Sequence, residues 1–254
     1  MIAHARQELL LEILGQKKHL TMRKLPSLLK ASPATIRRDI SLLERMGKLV
    51  HSHGSISHPE HVGGEQSFAR KTRVATSAKQ AIAAYTVGLV SPGSVVFIDS
   101  GTTCLEIGRR LLREEVTIYT NSIPLLAEPT PSKARVVSLG GEVRHVSRAL
   151  VGGLALEWLK HLRFDFAFLG ASGLCPTEGA STTELTEAAI KRECAGRSRR
   201  AILVADATKW NHPVSVQFAP WEAFDDLVTD LRLAQSDRDR LQDFGVNIHT
   251  VSIS

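Results

Sequence analysis

Ser32, Thr35, Arg37, Arg38 and Ser41 are spaced so that one short helix would present them together. Their chemistry is that of duplex recognition: hydroxyls and arginines near a helix N-terminus reach base edges and phosphates in the major groove. Ser32 can accept hydrogen bonds from the free N–H groups of a helix start, and Pro33 fits the first helical position without losing a needed donor. A second set occurs much later, at Asp99-Ser100-Gly101-Thr102-Thr103. A glycine among small hydroxyl residues before a helix can wrap main-chain N–H groups around an anion, with the helix dipole in support. The bland alternatives are a solvated basic helix face for the first set and a plain N-cap for the second. What surrounds each set decides between these readings.

Around the first set, Ile36, Ile40 and Leu43 recur at i, i+4 and i+7 and form one buried stripe. Arg37, Arg38, Ser41 and Arg45 lie off that stripe. Upstream, Leu9, Leu10, Ile13 and Leu14 predict a helix that stops at Gly15, and Thr21 to Leu29 predicts a second, short one. Gly47 is expected to end the third helix, and Lys48 to Gly54 reads as a strand entering a turn. Three helices and a small hairpin make a winged helix-turn-helix.

With these residues in place, the chain resembles the DeoR-type family of bacterial regulators of sugar metabolism. The likeness rests on Arg6-Gln7, the run Ser32 to Ile40, Leu43-Glu44, Gly47 and His53-Gly54. It departs from the family at Pro26, so the second helix is expected to start late, near Leu25, or to be kinked. Ser55 replaces a usual wing glycine. The DNA-contacting residues expected are Ser32, Thr35, Arg37, Arg38, Ser41, Lys48, His51 and His53.

The chain of 254 residues carries 32 Lys+Arg against 26 Asp+Glu, and the whole excess lies in residues 1–58, with 10 basic and 4 acidic side chains. Such asymmetry is the footprint of a polyanion-binding domain, and its affinity should fall steeply with salt. Cys104, Cys175 and Cys194 are odd in number and far apart, which supports neither a disulfide framework nor a zinc site. No cofactor or metal is expected. No apolar run approaches the roughly 20 residues of a membrane span, and the N-terminus lacks a signal-peptide pattern. A cytoplasmic protein with no membrane partner is the expectation.

Residues 1–57 read as the DNA-binding domain, 58–76 as a polar linker broken by Pro59 and Gly63-Gly64, and 77–254 as a second domain. That domain opens with a helix over 77–89. From Ser94 onward, short apolar runs alternate with amphipathic stretches: Val95–Ile98, Val116–Tyr119, Val136–Leu139, Phe166–Leu169, Ala201–Val204, Leu227-Val228 and Val246–Ile248. Unbroken runs of this kind suit strands covered on both faces, so a parallel α/β sheet is predicted. Ligands of such sheets sit beyond the carboxyl ends of the strands. There the sequence offers Asp99 to Thr103, Asn121-Ser122, Gly140-Gly141, Gly170 to Gly173, and Asp206 to Lys209. Five small polar turns and a lysine suit a phosphate carrying hydroxylated carbons. Neither a P-loop nor a dinucleotide fingerprint is present.

These turns extend the family resemblance over nearly the whole chain. The family's C-terminal domain is similar to ribose-5-phosphate isomerase and senses phosphorylated sugars or related metabolites. By that likeness Ser100, Gly101, Thr102 and Thr103, following Asp99, would hold the phosphate. Asn121, Ser122, Gly141 and Lys209 would add contacts, and Arg148 is a further candidate. Thr182-Thr183-Glu184 with Glu187 and Lys191 matches an element that closes over the pocket. The expected function is a repressor of a carbohydrate-metabolism operon, released from double-stranded operator DNA by a phosphorylated sugar and acting as a homo-oligomer, dimer or tetramer. The alternative is a sugar-phosphate isomerase with an appended DNA-binding domain. Against it, Leu169 to Gly173 holds no carboxylate where the isomerases it resembles carry an acidic run.

Overall fold

A computed structural model of the chain describes residues 3–17, 19–46, 48–52, 55–57, 66–128 and 132–253. It forms two compact units, Met1–Arg70 and Lys71–Ser254.

In unit 1, α1 (Ala3–Lys17), α2 (Leu25–Leu29) and α3 (Pro33–Arg45) surround a small apolar core. Leu10, Leu14, Leu25, Leu29, Ile36, Ile40 and Leu43 are all buried in it. Helix α1 runs through Gly15 rather than stopping there, since the glycine faces open space and costs only propensity. Pro26 falls at the start of α2, where its missing N–H is not needed. The preceding residues Met22–Lys24 form a separate 3-10 turn, so the second helix starts late at Leu25. Strands β1 (His19–Thr21), β2 (Val50–Ser52) and β3 (Ser55–Ser57) pair antiparallel in the order β1-β3-β2. The expected wing is therefore a three-stranded sheet whose extra member comes from the α1–α2 connection. Helix α3 ends at Arg45, and Gly47 lies outside the described residues.

Helix α4 (Phe68–Arg73) carries the chain across the boundary between the units, within the segment read as linker. Unit 2 continues through α5 (Thr76–Val87), β4 (Val95–Ile98), α6 (Thr102–Leu111), β5 (Thr117–Thr120), α7 (Ile123–Leu126) and β6 (Arg135–Ser138). A hairpin, β7 (Glu142–Arg144) and β8 (Ala149–Val151), leads to α8 (Gly153–Leu159) and β9 (Phe164–Gly170). Then come β10 (Gly173–Cys175), β11 (Gly179–Thr182), α9 (Leu185–Gly196), β12 (Ser198–Val204) and β13 (Val216–Ala219). The unit closes with β14 (Asp226–Thr229), α10 (Gln235–Asp243) and β15 (Asn247–Thr250).

Seven strands form one sheet in the order β15-β14-β12-β9-β4-β5-β6, and every neighbouring pair is parallel. Four consecutive residues at the end of β9 and of β12 are buried, as expected when both faces of a sheet are covered. A second sheet, β10-β11-β13, is antiparallel and packs through β13 and β11 against α9. No helix among the described residues is long and apolar enough to cross a membrane.

Candidate functional site

The first candidate surface is α3. Ser32 Oγ accepts from the main-chain N–H of Thr35 at 3.2 Å and lies 2.9 Å from its hydroxyl. With Pro33 next, the helix start is fixed by its own sequence. Ile36, Ile40 and Leu43 turn inward, leaving Ser32, Arg37, Arg38 and Ser41 exposed and Thr35 half-buried. Neither Arg37 nor Arg38 has a hydrogen bond or ion pair among the described residues, so both guanidinium groups are available to an outside anion. Lys48 is exposed just before β2. His51 pairs with Ile56 in the wing sheet, while His53 lies outside the described residues.

Asp39 has a role that its place beside these arginines did not reveal. It is buried between Ile36 and Ile40, where it accepts from Arg6 Nε at 2.6 Å and from Gln7 Nε2 at 2.8 Å. Burial pushes the Asp39 carboxyl up, but hydrogen bonds from Arg6 and Gln7 and the Arg6 charge outweigh it and hold it below the usual carboxylate value. The trio clamps α1 to α3 and sets the angle at which α3 is presented. The signal in the sequence was a carboxylate three residues after Ile36, on the apolar side of the stripe.

The second candidate lies at the carboxyl ends of the parallel strands. The turns after β12, β9, β4, β5 and β6 are the five singled out from sequence, and those strands are consecutive neighbours in the sheet. The chain leaves β4 toward β5 and β6, whereas β9 on its other side leads toward β12. The crevice between β4 and β9 is thus a topological switch point, where such sheets bind ligands. Helix α6 begins there with Gly101 at its N-cap and no side chain capping it. Its first-turn N–H groups, with Ser100, Thr102 and Thr103, form the small polar lining expected of an anion site.

Behind this lining, Asp99 is fully buried. Its Oδ2 accepts from Gly170 N at 3.0 Å and from Lys191 Nζ, which also donates to Gly170 O at 3.0 Å. Burial lowers the Lys191 pKa, but the charges of Asp99 and Glu187 and the Asp99 hydrogen bond outweigh it, holding the ammonium above the ordinary lysine value. The pair locks the ends of β4 and β9 to α9. Asp99 Oδ1 and Asn121 Oδ1, at the ends of β4 and β5, are buried and accept no hydrogen bond among the described residues. Asn121 Nδ2 donates to Leu150 O at 3.4 Å. The Ser122 hydroxyl accepts from Leu125 N at 3.4 Å as the cap of α7, which leaves its O–H able to donate.

Gly141 answers first to the backbone. Its φ is +110°, and a Cβ there would stand 2.3 Å from the Val151 carbonyl oxygen. We expect Gly141→Ala to cost about 2 kcal/mol, a fall of about 6 °C in Tm, measured by thermal melting. Arg148 is exposed at the turn of the β7–β8 hairpin with φ +53°. On the same hairpin, Arg144 meets the segment after β11, 3.1 Å from Glu187 Oε1 and 3.8 Å from Glu184 Oε2, and lies 3.0 Å from Ser147 Oγ. Glu184 also caps α9 by accepting from Thr186 N. Lys209 is half-buried at the end of the 3-10 turn Ala207–Lys209 after β12. Asp206 opens that turn by accepting from Thr208 N at 3.1 Å. No cluster of metal ligands occurs among the described residues, and all three cysteines are free.

Comparison with known proteins matches both units. Residues 6–62 match the DeoR-like helix-turn-helix domain, and residues 74–231 match the DeoR C-terminal sensor domain. An uncharacterised HTH-type transcriptional regulator, YgbI of Escherichia coli (strain K12), is 34% identical over 93% of each chain. The glycerol-3-phosphate regulon repressor of the same organism is 27% identical over 87% of this chain and 88% of its own. Among solved structures, ribose 5-phosphate isomerase A of Methanocaldococcus jannaschii overlaps 52% of this chain and 53% of its own, with 17% identity and a TM-score of 0.37. That overlap is too loose to bear on function. The first match covers the exposed arginines of α3, and the second covers the five strand-end turns. The chain belongs to the DeoR family of DNA-binding transcriptional regulators.

Proposed function

We propose that this protein represses a carbohydrate-metabolism operon and is released from its operator when a phosphorylated sugar fills the crevice between β4 and β9. The observation that carries this reading is the uncapped start of α6 at the switch point, ringed by Ser100, Thr102 and Thr103. Main-chain N–H groups and hydroxyls there would take the phosphate, with Lys209 supplying the cation. The partnerless oxygens of Asp99 and Asn121 suit sugar hydroxyls, which can donate to them. The name of the Escherichia coli relative, a glycerol-3-phosphate regulon repressor, agrees with a phosphorylated effector. Gly101, Ser122, Gly141, Arg148 and Glu184 belong to the same rim in this reading, chiefly as shaping residues.

Residues 1–57 would act as the reader, 58–76 as the connection, and 77–254 as the sensing and assembling part, in the cytoplasm. Assembly into a dimer or tetramer places two copies of α3 about one DNA turn, or a multiple of it, apart. Leu154 and Trp158, 60% and 58% exposed beside an apolar cleft of about 460 Å³ at the β6 edge, are surface that a second copy would cover. The protein binds and releases its sugar unchanged: Gly170 to Gly173 offers no base, Asp99 is neutralised by Lys191, and Glu187 is held by Arg144.

Thr102→Val and Lys209→Ala test the site. Each should keep operator affinity while raising the effector concentration needed for release by about 10- to 100-fold, the worth of a hydrogen bond to a charged group. Operator binding is titrated against fructose 1-phosphate, fructose 6-phosphate, ribose 5-phosphate and glycerol 3-phosphate. An unchanged release curve in both variants would place the phosphate elsewhere.

A further inference from the structure

Lys79 lies on the inner face of α5 and is 4% exposed, yet it has no carboxylate partner among the described residues. Among the described residues its ammonium donates only to main-chain oxygens, those of Lys71 and Val74, the latter at 2.5 Å. These oxygens belong to the last turn of α4 and the joint that follows it. A buried cation held by carbonyls alone is costly and is retained for a reason other than packing. Burial pushes Lys79 below the ordinary lysine range, while Asp206 and Glu106 oppose the drop and Lys209 and Lys71 add to it. Asp206 and Lys209 are the turn after β12, and Glu106 is one turn into α6, so Lys79 feels both walls of the anion cradle. The joint it holds is strained as well. Ala75, between α4 and α5, has φ +51°, a left-handed conformation that a non-glycine residue adopts only at a cost.

We propose that Lys79 couples the sensor crevice to the connecting helix. An anion bound between Thr102 and Lys209 draws the Lys79 ammonium off the Lys71 and Val74 carbonyls and frees the last turn of α4. The inference rests on the phosphate site described above. A phosphate dianion neutralises Lys209, which repels Lys79, and adds its own attraction in a poorly solvated setting. Because the anion interacts more strongly with the displaced ammonium, it must shift the population toward the loosened joint. Helix α4 is the segment by which the chain passes from one unit to the other, so the effect reaches the covalent connection between them.

Hydrogen exchange on the full chain tests this, with inorganic phosphate at tens of millimolar against chloride of equal ionic strength. In the parent protein, phosphate should slow exchange at 100–104 and speed it at 70–75 by about fivefold or more, the lower range of allosteric coupling. In Lys79→Gln, whose amide can still donate to a carbonyl, protection at 100–104 should remain and the response at 70–75 should vanish. Lys79→Arg, which keeps the charge, should restore it. Protection at 100–104 with no response at 70–75 in the parent, or an equal response in Lys79→Gln, overturns the coupling and leaves the site standing. Absence of protection at 100–104 in the parent removes the site, and this inference with it. If Lys79→Gln does not fold, the parent and Lys79→Arg responses decide the matter.

Discussion

Lys191→Met should destabilise unit 2 by about 3–5 kcal/mol, the cost of breaking a buried ion pair by removing one partner. The substitution leaves the Asp99 carboxylate fully buried with Gly170 N as its remaining donor. It also cuts the tie between α9 and the β4–β9 crevice, so effector binding should fall along with stability. All three tryptophans, Trp158, Trp210 and Trp221, lie in unit 2, so their fluorescence in a urea titration reads that unit alone. A second substitution, Asp99→Leu, made in the Lys191→Met background, should recover a large part of the loss, because the pair as a whole contributes far less than its separation costs. If Lys191→Met proves no less stable than the parent, the buried pair does not hold the crevice together.

Arg37→Ala should leave the far-UV circular dichroism melt of the full chain unchanged and weaken operator binding by about 1–3 kcal/mol for each recognition helix, roughly a 5- to 150-fold loss per copy. Arg37 is exposed on α3 and has no hydrogen bond or ion pair among the described residues, so its removal should not unfold unit 1. The way the loss is distributed tells what the guanidinium reads. A base-edge contact relaxes specificity at one position of the site, whereas a phosphate contact weakens all sequences alike and lowers the salt slope by about one. Unaltered affinity for the operator would show that α3 is not the reader.

The elements most legible in the sequence are those whose signal is local. The Ser32-Pro33 cap and the Ile36, Ile40, Leu43 stripe fix α3 within a dozen residues. The parallel strands announce themselves because burial on both faces leaves unbroken apolar runs such as Phe166 to Leu169. The antiparallel sheet β10-β11-β13 left no such trace. Its strands are three or four residues long, and Gly173, Ser181 and Thr182 carry no apolar period. The five strand-end turns were legible as a set because each follows its strand directly. Their partners were not, since Asp99 meets Lys191 across 92 residues and Asp39 meets Arg6 across 33. Arg144 went unnoticed for the same reason: its partner Glu187 lies 43 residues away, and only the folded hairpin brings them together. Nothing in the sequence marks Lys79, because carbonyl partners leave no trace in side-chain patterns.

The most direct test of the account is fluorescence anisotropy on DNA from upstream of the protein's own gene and its neighbours. Binding is followed at two salt concentrations and then challenged with the four phosphorylated compounds above. The expected result is sequence-specific binding that weakens steeply with salt and is released by one member of the panel. Failure to bind any fragment specifically, together with chemical conversion of a sugar phosphate during the assay, would contradict it and point to an isomerase.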